Sequence, residues 1–133
     1  MDGAGEFLNA DRKEGTIFRG EERLVQSNWC AYQVMADGKP VTIAMFGSPQ
    51  NPRGPTTWFT MAKPFAYMSA TLGLHAEALE VRASLPLTLR YGVAIWDRHV
   101  LPAQINAYYE EWTAADWQMI KPRQPANQTD KSK

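Results

Sequence analysis

The stretch Gly47 to Trp58, GSPQNPRGPTTW, constrains the fold more than any other part of the chain. Three prolines in twelve residues remove backbone donors and fix φ, so the segment is incompatible with a helix or a central strand. It reads as an ordered loop between two strand-like runs. On its upstream side WCAYQVMA (Trp29 to Ala36) and VTIAMF (Val41 to Phe46) flank Asp37-Gly38, a strong hairpin signal.

Downstream, Thr57 to Met61 and Phe65 to Thr71 are short aromatic or β-branched runs, and Leu79 to Arg82 resumes a two-residue alternation. Leu85 to Trp96 alternates most clearly. Leu85, Leu87, Leu89, Tyr91, Val93 and Ile95 share one face, and Trp96 lies on the other with Gly92 and Ala94. Pro86 belongs at the start or on an edge of such a strand, and Gly92 suits a bulge. After Pro102, a favoured first helical residue, Ile105, Tyr108, Tyr109 and Trp112 form a helical stripe that should pack on the sheet. Glu110 and Glu111 fall outside it and read as a solvated face. Residues 1–15 look like a loop with one short strand.

At 133 residues the chain fits one domain. The expected architecture is mainly β, an antiparallel β-sandwich that can be partial, with one C-terminal α-helix, over residues 1–120. The tail KPRQPANQTDKSK (Lys121 to Lys133) lacks large apolar side chains and is expected to be disordered. Fourteen basic residues balance fourteen acidic ones, so no net field favours nucleic acid or an anionic membrane. No apolar run is long enough for a membrane span, and no signal peptide is evident in this chain, which leaves the compartment open. The single Cys30 cannot form an internal disulfide.

In order, GEFLN at Gly5, Trp29, the NPRGPT loop, PFAYMSATL from Pro64, LTLRYGVAIWD from Leu87 and YYEEW from Tyr108 resemble the PmoA-like bacterial family. The resemblance covers about Gly5 to Trp112. It implies a β-sandwich among carbohydrate-utilisation proteins, with relatives often exported, and it implies no established reaction. Family members are about twice as long, so this chain looks like the C-terminal part of the family domain. Relatives carry a His beside the loop Trp, where Phe59 stands here. The family's "methane oxygenase" label conflicts with the residues present: an oxygenase metal needs a cluster of His or carboxylate ligands, and only His75 and His99 are available.

Candidate site residues follow from the loop and the long strand. Arg53 offers a planar fork of donors for a carboxylate, phosphate or sugar hydroxyls, and Asn51 and Thr56 flank it in the family signature. The alternative is that Asn51 and Arg53 tie down loop carbonyls. Trp58 and Trp96 are the tryptophans best suited to stack on a sugar ring, since Trp29 belongs to the hairpin and Trp112 to the helix; Trp117 lies beyond both. Asp97 and His99 have the spacing of a general acid-base pair. His75 and Glu77 form a similar pair, and convergence of all four would give a metal site, although both pairs also suit ordinary turns. No phosphate loop, nucleophile elbow or zinc motif is present, and no cofactor is expected.

Two main functional readings stand. One is a noncatalytic domain binding a polar small molecule such as a carbohydrate, with Asn51, Arg53, Thr56, Trp58 and Trp96 lining a groove. The other is an enzyme on a sugar or sugar-derived carbonyl compound, with Asp97 or His99 as acid-base and Arg53 orienting the substrate. Self-association through exposed β edges is a third.

Overall fold

A computed structural model describes residues 2–115, with side chains from residue 5 onward. Among the described residues, eight strands form two antiparallel four-stranded sheets, and one helix follows them. The first sheet has the order β1-β4-β5-β8, from β1 (Asp2–Asn9), β4 (Trp29–Ala36), β5 (Lys39–Gly47) and β8 (Tyr91–Trp96). The second has the order β2-β3-β6-β7, from β2 (Thr16–Arg19), β3 (Glu22–Gln26), β6 (Thr57–Met61) and β7 (Tyr67–Thr71). Helix α1 spans Pro102–Ala114 with Pro102 in its first turn. The expected β-sandwich with a C-terminal helix is therefore the observed fold.

The β4-β5 hairpin turns at Asp37-Gly38, where φ is 52° and 75°. Positive φ at both central residues matches the right-handed twist of the flanking strands, which is why the Asp-Gly pair fits here. The register that follows sets Ala31 beside Ala44, and Ala44 beside Ala94 on β8. These three small side chains make a trough across the sheet, in which α1 can approach closely. Gly92 extends it, since a Cβ there would meet the Trp112 indole at 2.8 Å. Trp29, Phe46, Val100, Ile105 and Tyr109 complete this buried layer. The Trp29 indole N–H donates to Asn106 Oδ1 at 3.2 Å, which fixes the helix along the sheet.

The opposite face of the same sheet packs on the second sheet through a smaller cluster of Val25, Cys30 and Trp58, with Met45, Met68 and Ala70 around it. Trp58 is fully buried, and its indole N–H donates to the Ser27 carbonyl at 2.8 Å. One sheet is thus covered on both faces at its centre. Its β8 margin is not: Val93 and Ile95 are 61% and 68% exposed.

The structure corrects three local expectations. Only Tyr91–Trp96 of the long alternating run is a strand; Arg82 and Leu85 form an isolated bridge, and Leu85 and Leu87 are exposed. The leucine-bearing face of that run is also not the buried one, because α1 covers Ala94 and Trp96 instead. Alternation defines two faces without saying which is covered. The third correction concerns residues 1–15, where the 8-residue strand β1 stands in place of a loop with one short strand; the β2-β3 hairpin, for which no element was expected, is masked by charges at Arg19, Glu21, Glu22 and Arg23. Glu110 and Glu111 are solvent-exposed as expected. Trp117 and the tail from Lys121 lie outside the described residues.

Burial pushes the Cys30 thiol up to about 12, because desolvation disfavours the thiolate. Below the ordinary thiol range both folded and unfolded chains carry the proton, so Cys30 adds no pH dependence there. Between about 9 and 12 the unfolded chain ionises first, and stability falls as pH rises. A native-state thiol titration at pH 8 should show Cys30 inert toward an aromatic disulfide reagent until denaturant is added. Denaturation midpoints should then decline from pH 9 to pH 11; rapid native labelling with a flat profile would contradict this burial.

Candidate functional site

The Gly47 to Trp58 loop leaves β5 and crosses to β6, joining the two sheets. Its first residue is held by space: a Cβ on Gly47 would collide with the Thr56 side chain. Ser48 N–H donates to the Arg90 carbonyl at 3.1 Å, and Asn51 completes the attachment. Asn51 is 7% exposed; its Nδ2 donates to the Arg90 carbonyl at 3.0 Å, and its Oδ1 accepts the Arg90 N–H at 2.9 Å. The carboxamide thereby pairs with a backbone residue as a neighbouring strand would. Arg53, at φ 61°, reaches away from this contact. Its Nη1 donates to the carbonyls of Leu72 at 2.9 Å and Glu77 at 2.8 Å, and its Nη2 to that of Ala78 at 2.7 Å.

Of the candidate ligand-binding residues, Asn51, Thr56 and Trp58 are therefore interior groups with structural neighbours. Trp58 presents no open ring face, because the strand carrying it is covered where the two sheets meet. Trp96 points to the helix side, its ring 5.6 Å from that of Tyr108 and edge-on to it. Asp97 and His99 are exposed, with His99 Nε2 3.3 Å from the Val34 carbonyl. They follow the end of β8, whereas Asn51 holds its beginning at Arg90. Five strand steps separate Tyr91 from Trp96, roughly 17 Å at the usual rise. The strand thus keeps Asp97 and His99 apart from the Arg53 loop. His75 is remote from His99 for the same reason, and among the described residues no group of three or more His, Cys, Asp or Glu side chains is arranged to hold a metal.

The structure opens a groove that, of the candidate residues, only His75 lines. It lies on the outer face of the second sheet and has a volume of about 600 Å³. Register explains its floor: Leu24, Phe59 and Ser69 are direct neighbours across β3, β6 and β7, on the face opposite Trp58. Phe18 and Tyr67 bracket Phe59 with ring separations of 6.5 and 5.9 Å, both edge-to-face. Leu74, His75, Leu89 and Tyr91 form the rim. The His75 ring stands edge-on to Phe18 at 5.5 Å. Desolvation raises the Tyr91 phenol above its ordinary value, so it remains a protonated donor at neutral pH.

The groove is mostly apolar, with polar atoms confined to Tyr67, Ser69, Thr71, His75, Tyr91 and nearby backbone. Such a surface suits a compact ligand that has one apolar face and hydrogen-bonding groups at its margin. The sequence signal for it was the alternation around Trp58: a buried Trp inside a strand places Phe59 on the other face.

The chain belongs to a family of unknown function, DUF6807, whose sequence profile matches residues 1–110. No curated protein and no solved structure matches the chain. Among the described residues, no helix is long and apolar enough to cross a membrane.

Replacing Asn51 by Ala leaves the N–H and carbonyl of Arg90 without this partner, at a cost of about 2 to 3 kcal/mol. Chemical denaturation should report that loss, and hydrogen exchange should report faster exchange at Arg90 and Tyr91 with β4 unchanged. Unaltered protection at Arg90 would show that the carboxamide does not hold β8.

Proposed function

We propose that this chain is a small-molecule-binding β-sandwich whose ligand is a cyclic, polyhydroxylated compound such as a sugar or a sugar-derived carbonyl compound. The observation that carries the reading is the edge-to-face aromatic floor of Phe18, Phe59 and Tyr67 beneath a rim bearing His75 and Tyr91. An aromatic floor can stack on the apolar face of a pyranose ring, while the rim supplies donors and acceptors to its hydroxyls. The PmoA-like resemblance, with its carbohydrate-utilisation setting, supports the same ligand class. Phe59 occupies the position where such relatives have His, which favours binding over acid-base chemistry at the floor. The enzymatic alternative built on Asp97 and His99 loses its substrate-orienting partner, since Arg53 is engaged with three backbone carbonyls at a different end of β8.

Calorimetric titration of monosaccharides, aldonolactones and amino sugars should identify a compound that binds the native chain. Phe59→Leu should weaken it at least tenfold, whereas Trp96→Phe on the helix side should leave affinity unchanged. Equal affinity in the Phe59 variant, or no binder across the panel, overturns this reading.

A second reading is favoured by the open margin of β8. That edge strand has no charged residue or proline between Tyr91 and Trp96, devices that natural edges commonly use against pairing. Antiparallel pairing with a second copy about Ala94 would set Val93 opposite Ile95 twice, and it would bring no like charges together within the strand. Sedimentation should then detect a dimer that Val93→Lys converts to monomer; a monomer at all concentrations below about 100 μM, where weak transient contacts begin, rejects it.

A further inference from the structure

Arg53 belongs to the loop between the sheets, yet the three carbonyls to which it donates lie on the segment that forms one wall of the groove. Leu72, Glu77 and Ala78 bracket a compact turn. Within it, Ala76 N–H and Glu77 N–H both donate to the Gly73 carbonyl, at 3.1 and 3.2 Å, and Gly73 N–H donates to Thr71 Oγ1 at 3.2 Å. Leu74 and His75 sit at the apex of this turn and line the groove. Both are exposed, so packing alone does little to hold them.

We infer that Arg53 is a positioning residue for the groove: its guanidinium is a strut that holds the 72–78 turn so that His75 stands against Phe18. The chemistry favours arginine for this task. A planar, permanently charged fork can engage several carbonyls at once in fixed directions, and hydrogen bonds from a charged donor are stronger than neutral ones. The three acceptors come from both ends of the turn, so the fork closes the turn at its base. Without it, segment 72–78 retains its internal bonds, the Gly73 N–H to Thr71 Oγ1 bond at its β7 end and the exposed contact of His75 with Phe18, and is free to swing relative to the sheet. The consequence for binding rests on the groove reading given above; the mechanical role does not.

The left-handed backbone at Arg53 guides the choice of variant. Asn tolerates that region better than other non-glycine residues, so Arg53→Asn removes the fork without adding backbone strain. In the ligand-free protein, the His75 Cε1–H resonance should lose the ring-current displacement caused by Phe18, while amide resonances of β4 and β5 stay in place. Arg53→Lys, which retains the charge without the fork, should show the same loss of ring-current displacement and serves if the Asn variant is too unstable to examine. With a compound found to bind wild type, the dissociation constant should rise at least tenfold in either variant, approaching that of His75→Gln. A His75 resonance that stays at its wild-type position in both variants overturns the strut. If wild type binds none of the panel, the groove reading fails alone, and the resonance still decides the role of Arg53.

Discussion

The pairing of the Asn51 carboxamide with the backbone of Arg90 is the contact on which the rest of the arrangement depends. Thirty-nine residues separate the two groups, and their two bonds replace a rung of sheet that no strand supplies. From this point β8 begins in register with β5, Leu89 and Tyr91 face the groove, and the segment carrying Arg53 is fixed against the second sheet. A buried amide is costly unless both its donor and acceptor are satisfied. Here one backbone residue satisfies both, so the loop has a single geometry in spite of its lack of regular structure.

The two faces of β6 divide between a buried layer and an open surface. Trp58 is committed to the layer between the sheets, and Phe59, its neighbour in sequence, belongs to the outer floor. Strand alternation makes this division automatic. Substitutions at Phe59 or Tyr67 alter a solvent-facing surface, whereas substitutions at Trp58 remove a fully buried ring and leave the Ser27 carbonyl without its donor. The outer face can therefore vary in sequence with little effect on the core.

Much of the first sheet was legible in the residues. Asp37-Gly38 defined the hairpin, and Pro102 followed by the Ile105, Tyr108, Tyr109 and Trp112 stripe defined the helix and its packed side, with Tyr108 at the exposed margin of that stripe. The reading of β8 failed in part because Tyr91, Val93 and Ile95 look like a core face, while the small residues Gly92 and Ala94 are the ones that admit a helix. The β2-β3 hairpin was hidden because exposed strands tolerate charges that erase periodicity. The residues of the NPRGPT loop do not line the groove, and the alternative that Asn51 and Arg53 secure backbone carbonyls is the arrangement observed. Its connection to His75 was not legible. The Arg53 acceptors lie 19 to 25 residues away and are backbone carbonyls, which carry no residue-specific mark in a sequence.

The seating of α1 has a consequence for the order in which the protein can be made. Ala31, Ala44 and the Trp29 indole are synthesised early, yet their cover arrives only with Ile105 and Tyr109; the Trp29 to Asn106 bond spans 77 residues. On the ribosome, a large aromatic face must wait exposed while the remaining strands and then the helix emerge, at about 5 to 20 residues per second. The nascent chain therefore passes through seconds in which Trp29 and Phe46 are made but uncovered, and its yield in a cell depends on what shields them until the helix arrives.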